Sequence, residues 1–224
     1  MKAELPVILL SLKVATTAIA FLIPVGTFLG WLFSRKDFMG KTLLNGLVNV
    51  PLVLPPVVTG YFLLVLFSPA GLLGRALHLQ VAFTWKAAVL ASGLVSLPLL
   101  VRAVHVAVDS VDPKLEEAAR MLRASEWQIF FRVTLPLALH GIVAGAVLAF
   151  ARALGEFGAT IVFASNIPGK TQTIPLAIFT YLNQPGGEAK ARGLVLVSIL
   201  LALASEFVSI FLLRKLRDAE TAAG

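Results

Sequence analysis

From Val14 to Ser34 the chain carries no Asp, Glu, Lys or Arg, and an apolar helix of about 20 residues is what the hydrocarbon core of a bilayer requires. Four more uncharged or nearly uncharged runs follow: Thr42–Gly74, Ala87–Val101, Val133–Ala151 and Gly193–Leu213, the last interrupted only by Glu206. In lipid every backbone N–H and C=O must be satisfied within the segment, so such runs fold as helices. The composition agrees. At 58% hydrophobic and 14% charged, the chain has too little polar side chain to cover a water-facing surface, since soluble domains run at about 25% charged. The expected fold is all-α: a polytopic bundle of about five membrane spans, forming a single transmembrane domain over residues 1–224.

Details of the runs refine this. Thr42–Gly74 exceeds one span, and Pro51, Pro55 and Pro56 remove backbone donors, which predicts a kinked span over about 44–67 followed by a loop. The third span extends past Arg102 toward Val108. The short run before Lys13 is expected at the membrane interface, with Lys13 snorkelling outward. No small-residue cleavage site follows Lys2 and Glu4, so the first apolar run reads as retained.

A net charge of +7 could suit nucleic acid, but that use needs a basic face with interleaved aromatics. Here Lys and Arg sit between apolar blocks, where they set topology, and no nucleic-acid partner is expected. If the segment between spans three and four is cytoplasmic, eleven basic residues fall inside and six outside, Lys2 among the latter. The N-terminus is then outside, the C-terminus inside, and the chain a multi-pass protein of the cell membrane whose constant partner is lipid. Lys13 and Arg152 are left in or near the membrane.

Residues 109–132 form the most polar stretch, DSVDPKLEEAARMLRASEWQIFFR. Asp112 suits an N-cap and Pro113 a first helical position. Glu116 and Glu117 complement the helix dipole, while Leu115, Ala118, Ala119 and Leu122 make one apolar face. A second short helix starts near Ser125, with Glu126 in its first turn and Trp127, Phe130 and Phe131 on its apolar side. Such a helix pair either docks a partner or lies on the membrane.

Beyond the fourth span, Arg152 and Glu156 are spaced to pair on one helix face. Gly155 and Gly158 flank that carboxylate and are expected to let another backbone come close. Asn166–Lys170 reads as a turn around Pro168 and Gly169. Ile174–Leu182 then returns as a short helix, re-entrant within an outer segment spanning 152–185. Charge at membrane depth marks a pathway or a satisfied bridge. For Glu206 bundle packing with a hydrogen bond is expected.

Glu117-Ala118-Ala119, with Val133, Leu135 and Pro136 at fixed intervals, resembles the EAA loop of ABC importer permeases. That pattern runs E-A-A, three residues, Gly, nine residues, Ile, one residue, Leu-Pro. Here Arg123 stands at the Gly and Val133 at the Ile. The resemblance implies a coupling helix seated on a separate cytoplasmic ABC ATPase subunit. The implied coupling residues are Glu116, Glu117, Ala118, Ala119, Arg120, Arg123, Ala124, Leu135 and Pro136. The string GEFGAT-x(5)-NIPGKTQT and the segment LVLPPVV with Gly60-Tyr61 resemble molybdate permeases in particular. Related sulfate permeases share Gly-Glu-Phe-Gly and Gly-Lys-Thr, which leaves sulfate as the alternative cargo and tungstate undistinguished from molybdate. The resemblance further implies a homodimer, an extracytoplasmic molybdate-binding protein, and a gate or pathway drawn from Arg152, Gly155, Glu156, Gly158, Thr160, Asn166, Lys170 and Thr171.

The rival class is an intramembrane enzyme. His78, His105 and His140 lie on separate segments, and neither HExxH nor GxSxG occurs. Gly169-Lys170-Thr171 lacks the rest of a phosphate-cradling loop. No catalytic residue, metal site or cofactor is therefore expected, and ATP hydrolysis must reside in the partner.

Overall fold

A computed structural model describes residues 4–77 and 80–223; Lys2 and His78 lie outside them. The described residues form eleven α-helices and no strand: α1 (Leu5–Arg35), α2 (Lys41–Val53), α3 (Pro56–Phe67), α4 (Leu72–Leu77), α5 (Trp85–Asp109), α6 (Pro113–Met121), α7 (Glu126–Ile129), α8 (Leu135–Leu154), α9 (Gly158–Phe163), α10 (Ile174–Leu182) and α11 (Glu188–Ala223). One π-helical turn, Phe130–Thr134, joins α7 to α8. Five stretches are long and apolar enough to cross a membrane: Leu5–Arg35, Pro56–Ala76, Trp85–Asp109, Glu126–Leu154 and Glu188–Lys215.

Three corrections to the expected spans have simple causes. The run before Lys13 is not a separate interfacial piece but the first turns of α1, and its Val7 packs with Ile174, Ala177 and Leu194. Lys13 is exposed, with its ammonium 3.9 Å from the centre of the Trp85 ring. The second run is broken rather than kinked, because Leu54, held extended by the proline that follows it, ends α2, and Pro56 opens α3. Beyond Phe67 the chain forms the short helix α4 as well as loop.

α5 is the most enclosed span, and small residues set its distance from its neighbours. A Cβ on Gly26 or Gly30 of α1 would strike Leu100 and Val104 of α5, each at 2.6 Å. On the other flank, a Cβ on Gly141 or Gly145 of α8 would lie 2.3 Å from the Ala107 Cβ or 2.5 Å from the Ala103 Cβ. Close backbone approach is how helices associate where lipid supplies no hydrophobic drive between them. The pairings also give direction. Numbers rise together along α1 and α5, so these run parallel; they oppose along α5 and α8, so these run antiparallel. The ends of α1 and α5 and the start of α8 therefore meet at one pole, where α6 and α7 sit. The end of α8, with α9 and α10, lies at the opposite pole, about 30 Å away along the 20 residues of α8.

Candidate functional site

At the first pole the chain builds two short capped helices. The Lys114 amide donates to Asp112 Oδ1 at 3.0 Å, and Pro113 opens α6 as the spacing suggests. The helix ends in a paired turn: the Arg123 amide donates to the Arg120 carbonyl (2.9 Å) and the Ala124 amide to the Ala119 carbonyl (3.1 Å). This closure requires a left-handed residue, and Arg123 supplies it at φ +62°. Arginine thus adopts the conformation that glycine adopts more readily, and the turn is kept. α7 opens with a reciprocal cap, the Ser125 amide donating to Gln128 Oε1 (2.8 Å) and the Gln128 amide to Ser125 Oγ (3.3 Å).

The orientation of α6 inverts ordinary burial. Leu115, Ala118, Met121 and Leu122 face outward, the last two 85% exposed, whereas the single buried residue of the helix is Glu116, 3% exposed. Glu116, expected among the coupling residues, is instead turned into the protein. Its Oε1 accepts from Arg35 Nε at 3.0 Å and from Thr134 Oγ1 at 2.7 Å. Arg35 Nη2 donates to the Val108 carbonyl (2.8 Å) and the Val111 carbonyl (2.9 Å), and Nη1 to Ser34 Oγ (3.3 Å). Glu117, by contrast, is exposed, as are Arg120 and Arg123.

An outer ring of charge surrounds this centre. Glu126 accepts from Lys36 Nζ at 2.7 Å and from Arg120 Nε at 2.8 Å. The hydrogen bond to the Glu126 carboxylate raises the Arg120 pKa above its ordinary value. Asp109 pairs with His105 at 3.0 Å and accepts from the Ser34 hydroxyl. Beside them Trp31, Trp127, Phe130 and Phe131 form a ring cluster, with Phe130–Phe131 centroids 4.9 Å apart and Trp31–Phe130 5.2 Å. Phe130 is the buried member, while Trp127 and Phe131 are exposed. The π-helical turn, closed by the Leu135 amide on the Phe130 carbonyl, ends one residue short of Pro136. In a regular α-helix the Pro136 ring would crowd the carbonyl four residues back, and the widened turn precedes that conflict.

At the opposite pole Arg152 Nη1 and Glu156 Oε2 lie 2.5 Å apart, and Glu156 Oε1 accepts from the Ala159 amide at 2.8 Å. Glu156 thus joins the end of α8 to the start of α9. Gly158 does permit close approach, since a Cβ there would lie 2.8 Å from Pro56 Cβ. Gly155 does not: it is exposed, and a Cβ there would meet only its own helix, at 3.7 Å. Gly60, singled out only within a motif, packs harder, with Ala159 O 2.6 Å from a notional Cβ.

The loop beyond α9 is held by its own side chains. Thr171 Oγ1 donates to the Ser165 carbonyl (3.0 Å) and accepts from the Ile167 amide (2.9 Å). Asn166 donates to Thr180 Oγ1 (2.7 Å) and accepts from Gln172 Nε2 (3.0 Å). The Ile174 amide donates to Ser11 Oγ at 2.7 Å, pinning the loop to α1. Lys170 projects to solvent, and Thr160 is fully buried with its hydroxyl unpartnered. Asn166 and Thr171 thus hold the shape of this loop. Glu206 is exposed on α11 and forms no ion pair or hydrogen bond among the described residues, against the expected bundle contact. No group of His, Cys, Asp and Glu capable of holding a metal occurs among the described residues.

Arg35 and Thr134 escape sequence reading, which saw Arg35 only as a topology charge. Their partner lies 81 and 18 residues away, and no periodicity reports such a pairing.

A bundle of five apolar spans, with a capped helix pair fastened to one pole by buried charge, is the fold of a multi-pass membrane protein. Residues 23–218 match the family described as binding-protein-dependent transport system inner membrane component, and the chain belongs to that family. The molybdenum transport system permease protein ModB of Escherichia coli (strain K12) is 51% identical over 219 residues, 96% of each chain. Its counterpart in Haemophilus influenzae is 48% identical over 218 residues, covering 96% of this chain and 95% of the relative. The sulfate transport system permease protein CysT of Escherichia coli (strain K12) is more distant, 39% identical over 182 residues, 79% of this chain and 66% of the relative. In fold, the chain is similar to a chain of the inward-facing MetNI methionine ABC transporter, with a TM-score of 0.76, 19% identity and coverage of 96% and 97%.

Proposed function

We propose that this chain is the transmembrane subunit of an ATP-driven importer for molybdate, or for tungstate of the same shape and charge. Two copies line one pathway, each carries one cytoplasmic ATPase subunit on α6, and an extracytoplasmic binding protein delivers the oxyanion. The pole bearing α6 is cytoplasmic, which sets the N-terminus outside and the C-terminus inside. The observation that carries the reading is the outward apolar face of α6, Leu115, Ala118, Met121 and Leu122, next to the exposed Glu117. Exposed apolar side chains of this kind, rimmed by charge, mark a contact surface. The cargo rests on the 51% and 48% relatives, both molybdenum permeases. Sulfate is the second reading, supported by the weaker likeness to the sulfate permease.

In this mechanism ATP binding draws the two α6 helices together and turns the pathway outward, and hydrolysis resets it. It is a two-state equilibrium biased by contacts that differ between states. Because the cargo must leave, selectivity belongs to the binding protein, and no tight anion site is needed in the pathway.

Liposomes holding this chain and its ATPase subunit test the reading. ATP hydrolysis should rise with molybdate-loaded binding protein, not with sulfate-loaded or empty protein. Stimulation by sulfate alone would transfer the cargo. Glu117→Lys should abolish uptake while leaving membrane insertion intact; normal uptake in that variant would remove Glu117 from the coupling contact.

A further inference from the structure

We infer that Arg35 is a positioning residue for energy coupling: with Glu116 and Thr134 it forms a latch that makes α6, the ends of α1 and α5 and the start of α8 move as one body. The inference rests on the reading that α6 is the helix an ATPase displaces.

The reason lies in how little else holds α6. It is a helix of nine residues, too short to persist without tertiary support. Its apolar side chains face outward, so no packed apolar back fixes it, and its only buried residue is a carboxylate. Apolar contact is non-directional and tolerates sliding. Hydrogen bonds to a guanidinium fork fix both distance and angle. Beyond its own helix Arg35 makes three such bonds at once, to Glu116 on α6, to Val108 on the last turn of α5, and to Val111 in the link between them. Arg35 is itself the last residue of α1. Through Glu116 Oε1 the same network takes in Thr134, the last residue of the π-helical turn that leads into α8. Three of the five spans thus converge on the Arg35–Glu116 pair, and any displacement of α6 is delivered to all three.

The surrounding bridges do not replace it. Lys36–Glu126 and Arg120–Glu126 are exposed at both ends, where water and salt weaken an ion pair. The Glu116 side chain is 4% exposed and that of Arg35 15%. Lysine could not substitute, since its single ammonium cannot span a carboxylate and two separate carbonyls in the plane the guanidinium fills.

The test uses the full chain reconstituted with its ATPase subunit and loaded binding protein, with uptake and ATP hydrolysis measured in the same liposomes. Arg35→Met keeps the length of the side chain and removes every donor. The expected result is a complex that assembles and still hydrolyses ATP, while cargo moved per ATP falls about tenfold, within the ordinary range of coupling between sites. Arg35→Lys should fall between this variant and the native chain. Thr134→Val should lower the ratio about threefold, in keeping with the loss of one bond from the network, and Thr134→Ser should restore it. A role confined to folding would instead lower the yield of complex and leave cargo per ATP unchanged in what assembles, which would overturn the inference. Should Arg35→Met fail to insert, the Thr134→Val and Thr134→Ser pair decides by the same ratio. If Leu122→Asp leaves ATPase binding intact, the docking of α6 itself fails. If that variant loses binding while Arg35→Met keeps a native ratio, only the latch fails.

Discussion

Glu116 and Glu156 are both buried, both paired with an arginine, and stand at opposite ends of α8. Their difference is reach. Glu156 takes its donors from Arg152, four residues back, and from the Ala159 amide, three residues on, so it rounds a single corner between two consecutive helices. Glu116 takes its donors from residues 81 positions before it and 18 positions after it. One carboxylate shapes a loop; the other binds elements that the chain itself does not connect. A buried charge left without its partner is costly in both places. At the Glu156 corner a local readjustment can return Arg152 to solvent. At Glu116 the arginine left behind is held among the ends of several helices.

Removing each carboxylate should expose that asymmetry. Glu116→Ala strands Arg35 and Thr134 together, and should destabilise the protein by about 3–5 kcal/mol, the cost of breaking a buried pair. Thermal unfolding in detergent would read it. Glu156→Ala removes two bonds to a charged group, yet Arg152 keeps 30% side-chain exposure and can hydrate, so a cost of about 2 kcal/mol follows. Were Glu156→Ala the more damaging of the two, the distinction between a local corner and a tertiary tie would not hold.

The same contrast explains what could be read without coordinates. The five spans follow from uncharged length alone. Asp112, Pro113 and Ser125 gave their caps because a cap is decided within four residues. Ile174–Leu182 and the Arg152–Glu156 pair were legible for the same reason, lying within one helix turn or one apolar run. Misreadings occurred where distance in sequence was large or where a face had two possible directions. Periodicity located the apolar stripe of α6 but not which way it points, and Glu116 was sorted with its exposed neighbour. Gly155 and Gly158 look alike in sequence, yet only Gly158 meets another backbone, because α3 approaches from about a hundred residues away. Glu206, without an ion pair or hydrogen bond among the described residues, follows neither pattern.

The finest comparison lies in the backbone. Arg123 and Ser165, one in each region, both hold left-handed conformations, at φ +62° and +63°. That conformation costs a residue with a Cβ about 1–2 kcal/mol, while glycine adopts it freely but gives up more freedom on folding, by about 0.5–1 kcal/mol. Arg123→Gly and Ser165→Gly should therefore each stabilise the protein slightly, by up to about 1 kcal/mol, visible as a small rise in Tm. In the loop after α9 this should be the whole effect, because it is the Ser165 carbonyl that holds Thr171 and a glycine retains it. Arg123 is exposed and follows Met121 and Leu122 in the chain, at the end of the helix proposed to dock the ATPase. If arginine stands there only to close the turn, Arg123→Gly matches Ser165→Gly in every readout. If the guanidinium also meets the partner, the variant unfolds later yet binds the ATPase more weakly, and the strain at this turn is the cost of a charge placed where docking uses it.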